Sequence, residues 1–370
     1  MTQDEQRAQA ALEAAIQRTL ANTTAAIERV QREVPKDTIV RANALGFTHQ
    51  NDRLSMAAGG QRWSLHNHAL GQIAEQASVP KPYLDTLNQG EEWERNLLDH
   101  ILSTTFQHST DRHLVRSIDT GNGQLEARGF LSDKFRRLDS RPLLETFVAE
   151  VSRFGARPYA GVMTDTRVSL KALLPTAWTF AVPEGAVRTD HRGGSGIEAI
   201  AFGIEWRNSD YGTSRNNLAA FILRLWCLNG AVLEDVMRQV HLGGRLDENI
   251  QFSEQTYQLD TRASVSAMRD VVRGLLAPDK VRQTIDRIEA LSAKVITWDK
   301  VKAQFAKGLT KEELRKVDEA YTGADVQNLP PGDTAWRASN ALSWIANQTD
   351  NQERRLELEK LAGTVLKQAA

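Results

Sequence analysis

Cations and flat side chains recur two residues apart in the middle of this chain. Arg128 and Phe130 sit in "QLEARGFLS", and Lys134, Phe135, Arg136 and Arg137 follow at once. Arg167 and Lys171 take matching positions of "TRVSLKALLP", and Trp206, Arg207, Tyr211 and Arg215 bracket a polar run. On an extended chain, residues two apart face the same way. Such a face offers cations to phosphates and rings on which bases stack, which is what single-stranded nucleic acid requires. The alternative is a solvated sheet face whose cations lay their stems along apolar surface. Aromatics are only 6% of the chain, so spacing alone leaves both readings open. The candidate nucleic-acid contacts are Arg128, Phe130, Lys134, Arg136, Arg137, Arg167, Lys171, Arg207 and Arg215.

A second constellation lies in "FGIEWRNSDYGTSRNNLAAFILRLWCLNGAV". Arg224 falls inside a run that is apolar on both faces and reads as a central strand. A buried arginine is tolerated only when its donors are satisfied. The preceding knot offers Asn208, Ser209, Asp210 and Thr213, with Glu205 nearby. The expectation is structural: Arg224 pins the knot by charge-assisted bonds to Asp210 or Glu205. Direct ligand contact by Arg224 is the alternative. Cys227, the only cysteine, follows. An enzyme centred on 208–214 and Cys227 would need that thiol exposed and its pKa lowered, whereas an apolar strand buries an inert one.

Other chemistry is hard to find. The eight histidines are scattered, and the lone cysteine has no partner at metal-ligand spacing, so no metal site is legible. "HNH" at 66–68 spells a nuclease motif without its strand pair. There is no phosphate-cradling or dinucleotide glycine loop, and hence no expected cofactor. Asp133 and Asp139 flank "KFRRL", where carboxylates balance charge more readily than they perform acid/base work.

The elements that would hold these residues follow from periodicity. The chain has 370 residues, 41% hydrophobic and 25% charged, with 46 Lys+Arg against 47 Asp+Glu. That is globular composition, without the global basic excess of a generic nucleic-acid binder. One cysteine fits a reducing cytoplasm, and no run is long and apolar enough to span a membrane. Residues 1–63 read as an N-terminal helical arm and linker, with a thin stripe of Leu12, Ile16, Leu20, Ile27 and Val30. "SLHNHALGQIAEQASVPKPYLDTLNQG" reads as a helix-turn-helix or a packed helical corner, and the acidic outer side of its second helix disfavours DNA. Two hairpins, around "TGNG" and around Thr164-Asp165, enclose the amphipathic helix "SRPLLETFVAEVSRFG". Residues 184–195 read as a flexible loop. The fold class is α+β: an antiparallel sheet over about 112–228 with one intervening helix, flanked by N-terminal and C-terminal helical segments, the latter over about 253–370. The whole of 64–370 reads as a single domain.

The knot segment resembles a signature of the phage/plasmid-like family of unknown function (domain of unknown function, nine-three-two). In that family a strand leads into an Asn-Ser-acidic-x-Gly turn, and the next strand carries Arg and ends in Cys-x-Asn-Gly. Three further stretches are similar: "ALGQIAEQASVPKPYLDTL", "LVRSID…EARGFLSDKFRRLDSRPLL", and "TAWRASNALSWIANQ" with "ERRLELEKLAGTVLKQA". They run in order over about 64–369. Asp210-Tyr211 and Leu228 depart from the pattern, where Glu with a small apolar residue and Thr are usual. The resemblance implies a phage or plasmid setting in a bacterial host and places the helix-turn-helix segment inside one long domain. It carries no activity.

Three functions follow as expectations. The first is a non-enzymatic single-strand-binding or annealing oligomer; annealing is a fold-level analogy to phage recombination proteins. The second is a protein-interaction or counter-defence factor of the element, without nucleic-acid contact. The third is an enzyme around Asn208–Ser214 and Cys227. Self-association is expected through the thin-striped first helix and the face shared by Trp336 and Trp344.

Overall fold

A computed structural model describes residues 1–50, 53–121, 123–181, 197–238, 253–323, 329–330 and 332–369. The loop read at 184–195 lies outside the described residues. The fold is α+β with antiparallel sheets and helical segments at both ends, but it has two sheets rather than one.

The chain opens with α1 (Gln3–Arg32), started by a capping box between Thr2 and Glu5. Four short strands follow: β1 (Lys36–Arg41), β2 (Gly46–Gln50), β3 (Arg53–Ala58) and β4 (Gln61–Leu65). The expected linker is thus sheet. Gly59-Gly60, both at positive φ, joins β3 to β4 in a two-residue hairpin turn that only glycine enters without strain. Helices α2 (Asn67–Gln76), α3 (Lys81–Gln89) and α4 (Glu92–Gln107) precede β5 (Arg112–Asp119) and β6 (Leu125–Ser132). The first sheet runs β1-β5-β6-β4-β3-β2, antiparallel except where β4 lies parallel to β6. Met56, Trp63, Ile73, Leu98, Leu102 and Phe130 share its core, so α2–α4 are a packed corner on that sheet.

The intervening helix α5 (Ser140–Arg153) leads to β7 (Arg157–Met163), β8 (Val168–Ala181), β9 (Ile197–Asn208), β10 (Asn217–Arg224) and β11 (Asn229–Arg238). These form a five-stranded antiparallel sheet in the order β11-β10-β9-β8-β7. Its apolar alternation splits cleanly. Val168, Leu170, Ile200, Phe202, Ile204 and Ile222 face the main core with α5 and the C-terminal helices. Leu173, Ala201, Phe221 and Leu223 face α1, meeting its Leu12 and Ile16.

The C-terminal helices are α6 (Glu254–Leu275), α7 (Pro278–Ala293), α8 (Trp298–Phe305), α9 (Lys311–Thr322), α10 (Ala335–Asn347) and α11 (Gln352–Ala369). Helix α11 lies against β11 at Gly363, where a Cβ would overlap the Val232 carbonyl oxygen. Among the described residues no helix is long and apolar enough to cross a membrane.

Candidate functional site: a groove between the first and last helices

The nine candidate contacts do not gather on one open face. Phe130 is 1% exposed and stacks on His113 inside the first core, at 4.4 Å between ring centres, so it offers no platform for a base. Arg128 is buried between Glu126 at 2.8 Å and Glu33 at 2.9 Å. Arg136 grips Asp260 of α6 with two nitrogens. Arg137 reaches Asp37 at 3.3 Å and lies 4.7 Å from the Tyr257 ring centre. Arg167 donates to the Thr213 carbonyl at 3.2 Å. Arg207 pairs with Glu205 at 2.6 Å, and buried Lys171 with Glu359 of α11 at 2.5 Å. Lys134 and Arg215 are the exposed members of the set. Four of the paired cations, Arg128, Arg136, Arg137 and Lys171, are reached by carboxylates from segments far along the chain, which local spacing cannot reveal.

Arg224 is buried as expected, at 1% exposure, but its partner is not in the knot. Its Nε and Nη2 each lie 2.5 Å from a Glu198 oxygen, and its Nη1 lies 3.2 Å from the Cys227 sulfur. The antiparallel register explains the correction. Asn217 opposes Arg207 beside the knot, whereas Arg224 opposes Ile200 at the far end of the strand. Seven residues at ~3.3 Å each put Arg224 roughly 23 Å away from the turn. Burial alone would lower the Arg224 pKa, but the Glu198 carboxylate outweighs it and raises it. Cys227 is part-exposed, not sunk in an apolar strand.

The knot itself is the junction of the two sheets. Asn208 donates to the Leu138 carbonyl at 2.8 Å, and Ser209 to the Thr166 carbonyl at 2.7 Å. One Asp210 carboxylate oxygen accepts from the Ser140 backbone N–H and hydroxyl, both at 2.8 Å. From the first sheet, Arg116 on β5 donates to the Asp210 carbonyl at 2.8 Å, while His68 and Gln72 on α2 meet the Tyr211 carbonyl, each at 3.0 Å. Burial pushes the Asp210 carboxyl up to about 6, with Arg116 opposing and Asp139 adding to the rise.

The residues that do converge on a concavity lie on the α1 face of the second sheet. Helix α1 is stitched to β7: Thr23 Oγ donates to the Tyr159 carbonyl at 3.1 Å and accepts from the Gly161 N–H at 3.2 Å. Gly161 permits this approach, since a Cβ there would sit 3.1 Å from the Thr23 Cα. Helix α11 forms the opposite wall, and β7 with β8 forms the floor of a groove of ≈ 430 Å³. Ser169 faces Arg207 and Lys171 faces Glu205 across β8 and β9, so four polar side chains share this face. Ser169 donates to Glu205 at 2.8 Å. Burial pushes the Glu205 carboxyl up, but Arg207 and Lys171 overcome it and hold it below its ordinary value. Arg355 of α11 lies 3.5 Å from Glu359, which also takes Lys171.

Lys171 is thus the one sequence candidate that lines this groove; Arg29, Tyr159, Ser169 and Arg355 join it. Sequence reasoning missed those four because three separate segments bring them together. Among the described residues no group of three or more His, Cys, Asp or Glu could hold a metal ion. Comparison with known proteins finds no match: no family model matches the chain, nor does any curated protein or solved structure.

Proposed function

We propose that this protein binds an extended anionic chain, single-stranded nucleic acid, in the α1–α11 groove, in the setting of a phage or plasmid. One observation carries the reading. The described lining includes three cations, Arg29, Lys171 and Arg355, with amides and hydroxyls from Asn22, Thr19 and Gln352, and no carboxylate. Arg29 is paired with Glu33 and Asp165, and Lys171 and Arg355 with Glu359, and none of these carboxylates is among the described lining residues. Phosphates need such an acceptor-poor, cation-lined surface, whose contacts position a strand without reading its sequence. The binding surface is therefore the groove and not β6, where Arg128 and Phe130 are buried.

The test is fluorescence anisotropy of a labelled single strand over a salt series, with wild type and Arg355→Ala. Binding should weaken steeply with salt, and the variant should lower the salt slope by about 1. No binding at low salt would remove the proposal.

A second reading has its own observation. Trp93 is 65% exposed on α4, with Tyr83 at 47% on α3, amid Glu91, Glu92 and Glu94. An exposed aromatic in an acidic rim suits a basic protein partner. Loss of oligonucleotide binding, with retained protein capture that Trp93→Ala abolishes, would put this reading first.

The surfaces first invoked for self-association are occupied in part within the chain, while Leu20 is 46% exposed and Trp344 half-buried. Leu12 and Ile16 of α1 pack on the second sheet, and Trp336 is buried with its Nε1 donating to Glu198 at 3.2 Å.

A further inference from the structure

The opposite face of the second sheet holds a separate concavity. It opens between β10, α6, α7 and α11 and has a volume of ≈ 200 Å³. Its floor is aliphatic and nearly dry: Leu275 is 2% exposed, Ile288 1%, Leu291 3% and Leu366 1%. Helix α7 builds one wall by spacing alone. Lys280, Thr284, Arg287 and Leu291 fall at i, i+4, i+7 and i+11, one stripe that runs from charge to apolar floor. Lys367, near the end of α11, adds a third cation to the rim. No acidic side chain is among the described residues that line the opening.

Inside there is little for a polar ligand to bond. Thr284 is the hydroxyl at the wall, and it already donates to the Lys280 carbonyl at 2.8 Å. A polar body placed there would lose its hydration without replacement. An aliphatic tail would lose nothing, and a space of ≈ 200 Å³ has room for one of moderate length. An anionic head at the tail's end would meet the three rim cations.

We propose that this cleft is a binding site for a medium-chain aliphatic carboxylate, tail inward and carboxylate at Lys280, Arg287 and Lys367. The site lies across the sheet from the α1–α11 groove, so the proposal does not rest on the function assigned there.

The experiment is isothermal titration of the full chain with sodium octanoate, below its micelle concentration, with 1-octanol as the uncharged control. The variant Lys280→Glu/Arg287→Glu reverses two exposed rim charges and leaves the floor untouched. Expected are submillimolar octanoate binding to wild type, at least tenfold weaker 1-octanol binding, and at least a tenfold loss for octanoate in the variant. A circular dichroism melt checks that the variant is folded. No octanoate binding at millimolar concentration would overturn the site. Equal binding of the alcohol, or unchanged octanoate affinity in a folded variant, would overturn the role of the rim.

Discussion

Two arginines, Arg116 and Arg224, sit in comparable places and do different work. Each lies on a strand, each is 1% exposed, and each is answered by carboxylate. Arg224 spends two nitrogens on one partner, Glu198, at the start of the neighbouring strand. Its described partners are Glu198 on β9 and Cys227 just after β10, and Glu198 also accepts from Trp336 of α10. Arg116 spreads its donors over three segments: Asp37 on β1 at 2.8 Å, Asp139 before α5 at 2.5 Å, and the Asp210 carbonyl at 2.8 Å. Two of those segments belong to the second sheet's side of the molecule. A bidentate pair fixes one hairpin end, whereas a divided fork ties two sheets together. The same residue type at the same burial is local in one case and architectural in the other.

Removing Arg116 should therefore cost most. Arg116→Ala takes a donor at once from Asp139, from Asp37, which keeps Arg137, and from a buried carbonyl, so we expect about 4–5 kcal/mol. It should also uncouple the sheets. Urea unfolding followed by far-ultraviolet dichroism and by tryptophan fluorescence should then give two non-coincident transitions. A single transition at the wild-type midpoint would erase the distinction drawn between the two arginines.

Arg224→Met comes next, at about 3–4 kcal/mol, because it takes the paired cation from the buried Glu198 and leaves it the Trp336 indole N–H. Here one carboxylate takes two of the guanidinium nitrogens, so the damage should be repairable. Arg224→Met with Glu198→Leu should recover most of the loss, as apolar replacements of a buried pair often do. No one change can rescue Arg116→Ala in the same way. If the double variant is as unstable as the single one, Arg224 is not the closed local pair described above.

How far the sequence carried can be judged from these same residues. The burial of Arg224 was legible, because a charge inside a doubly apolar run must be covered. Its partner was misassigned by nearness in sequence; an antiparallel hairpin places a strand's end opposite the start of the one before it. Arg116 sits inside "RHLVRSID", where Leu114 and Ile118 lie two residues to either side on the same face, a weaker signal of burial than the run around Arg224. The hairpins around "TGNG" and Thr164 and the helix between them were readable because their periodicities are local. The strands of 36–65 were missed although Gly59-Gly60 marked a hairpin, since the flanking runs are short and weakly alternating. The groove was not readable at all beyond Lys171: its walls come from the two ends of the chain, and no local pattern announces that α1 and α11 meet the same face.

The knot supplies a third, pH-dependent test of the Arg116 side. An unfolded Asp titrates near 3.8, and Asp210 in place titrates at about 6. The folded state thus holds the proton more tightly. The associated stability is fully present below ~3.8 and is lost as pH rises through about 6, an interval of roughly 2 pH units at about 1.4 kcal/mol each. Asp210→Asn keeps an acceptor for Ser140 and removes the charge. Relative to wild type it should gain up to about 3 kcal/mol between pH 4 and pH 7.5, read from urea midpoints at both values. A difference that does not change with pH would mean that Asp210 is ionised throughout, held by Arg116 more firmly than burial opposes it.

The smallest expected effect lies at the Arg224 end. Leu228 closes the turn into β11 with φ of 57°, a left-handed conformation that costs a leucine roughly 1–2 kcal/mol relative to the ordinary helical or extended regions. Its carbonyl accepts from Asn347 at 3.2 Å, which holds the turn against α10. Asparagine tolerates this conformation far better. Leu228→Asn relieves the strain but gives up the part-buried packing of the leucine side chain against the α1-facing core. The two partly cancel, and we expect a net gain of about 0.5 kcal/mol from the strain term left over. The gain should appear as a higher urea midpoint with one cooperative transition, since nothing in this turn joins the two sheets. Were Leu228→Asn to split the transition as Arg116→Ala is expected to, the Arg224 end would be part of the junction after all, and the division between a local and an architectural arginine would not stand.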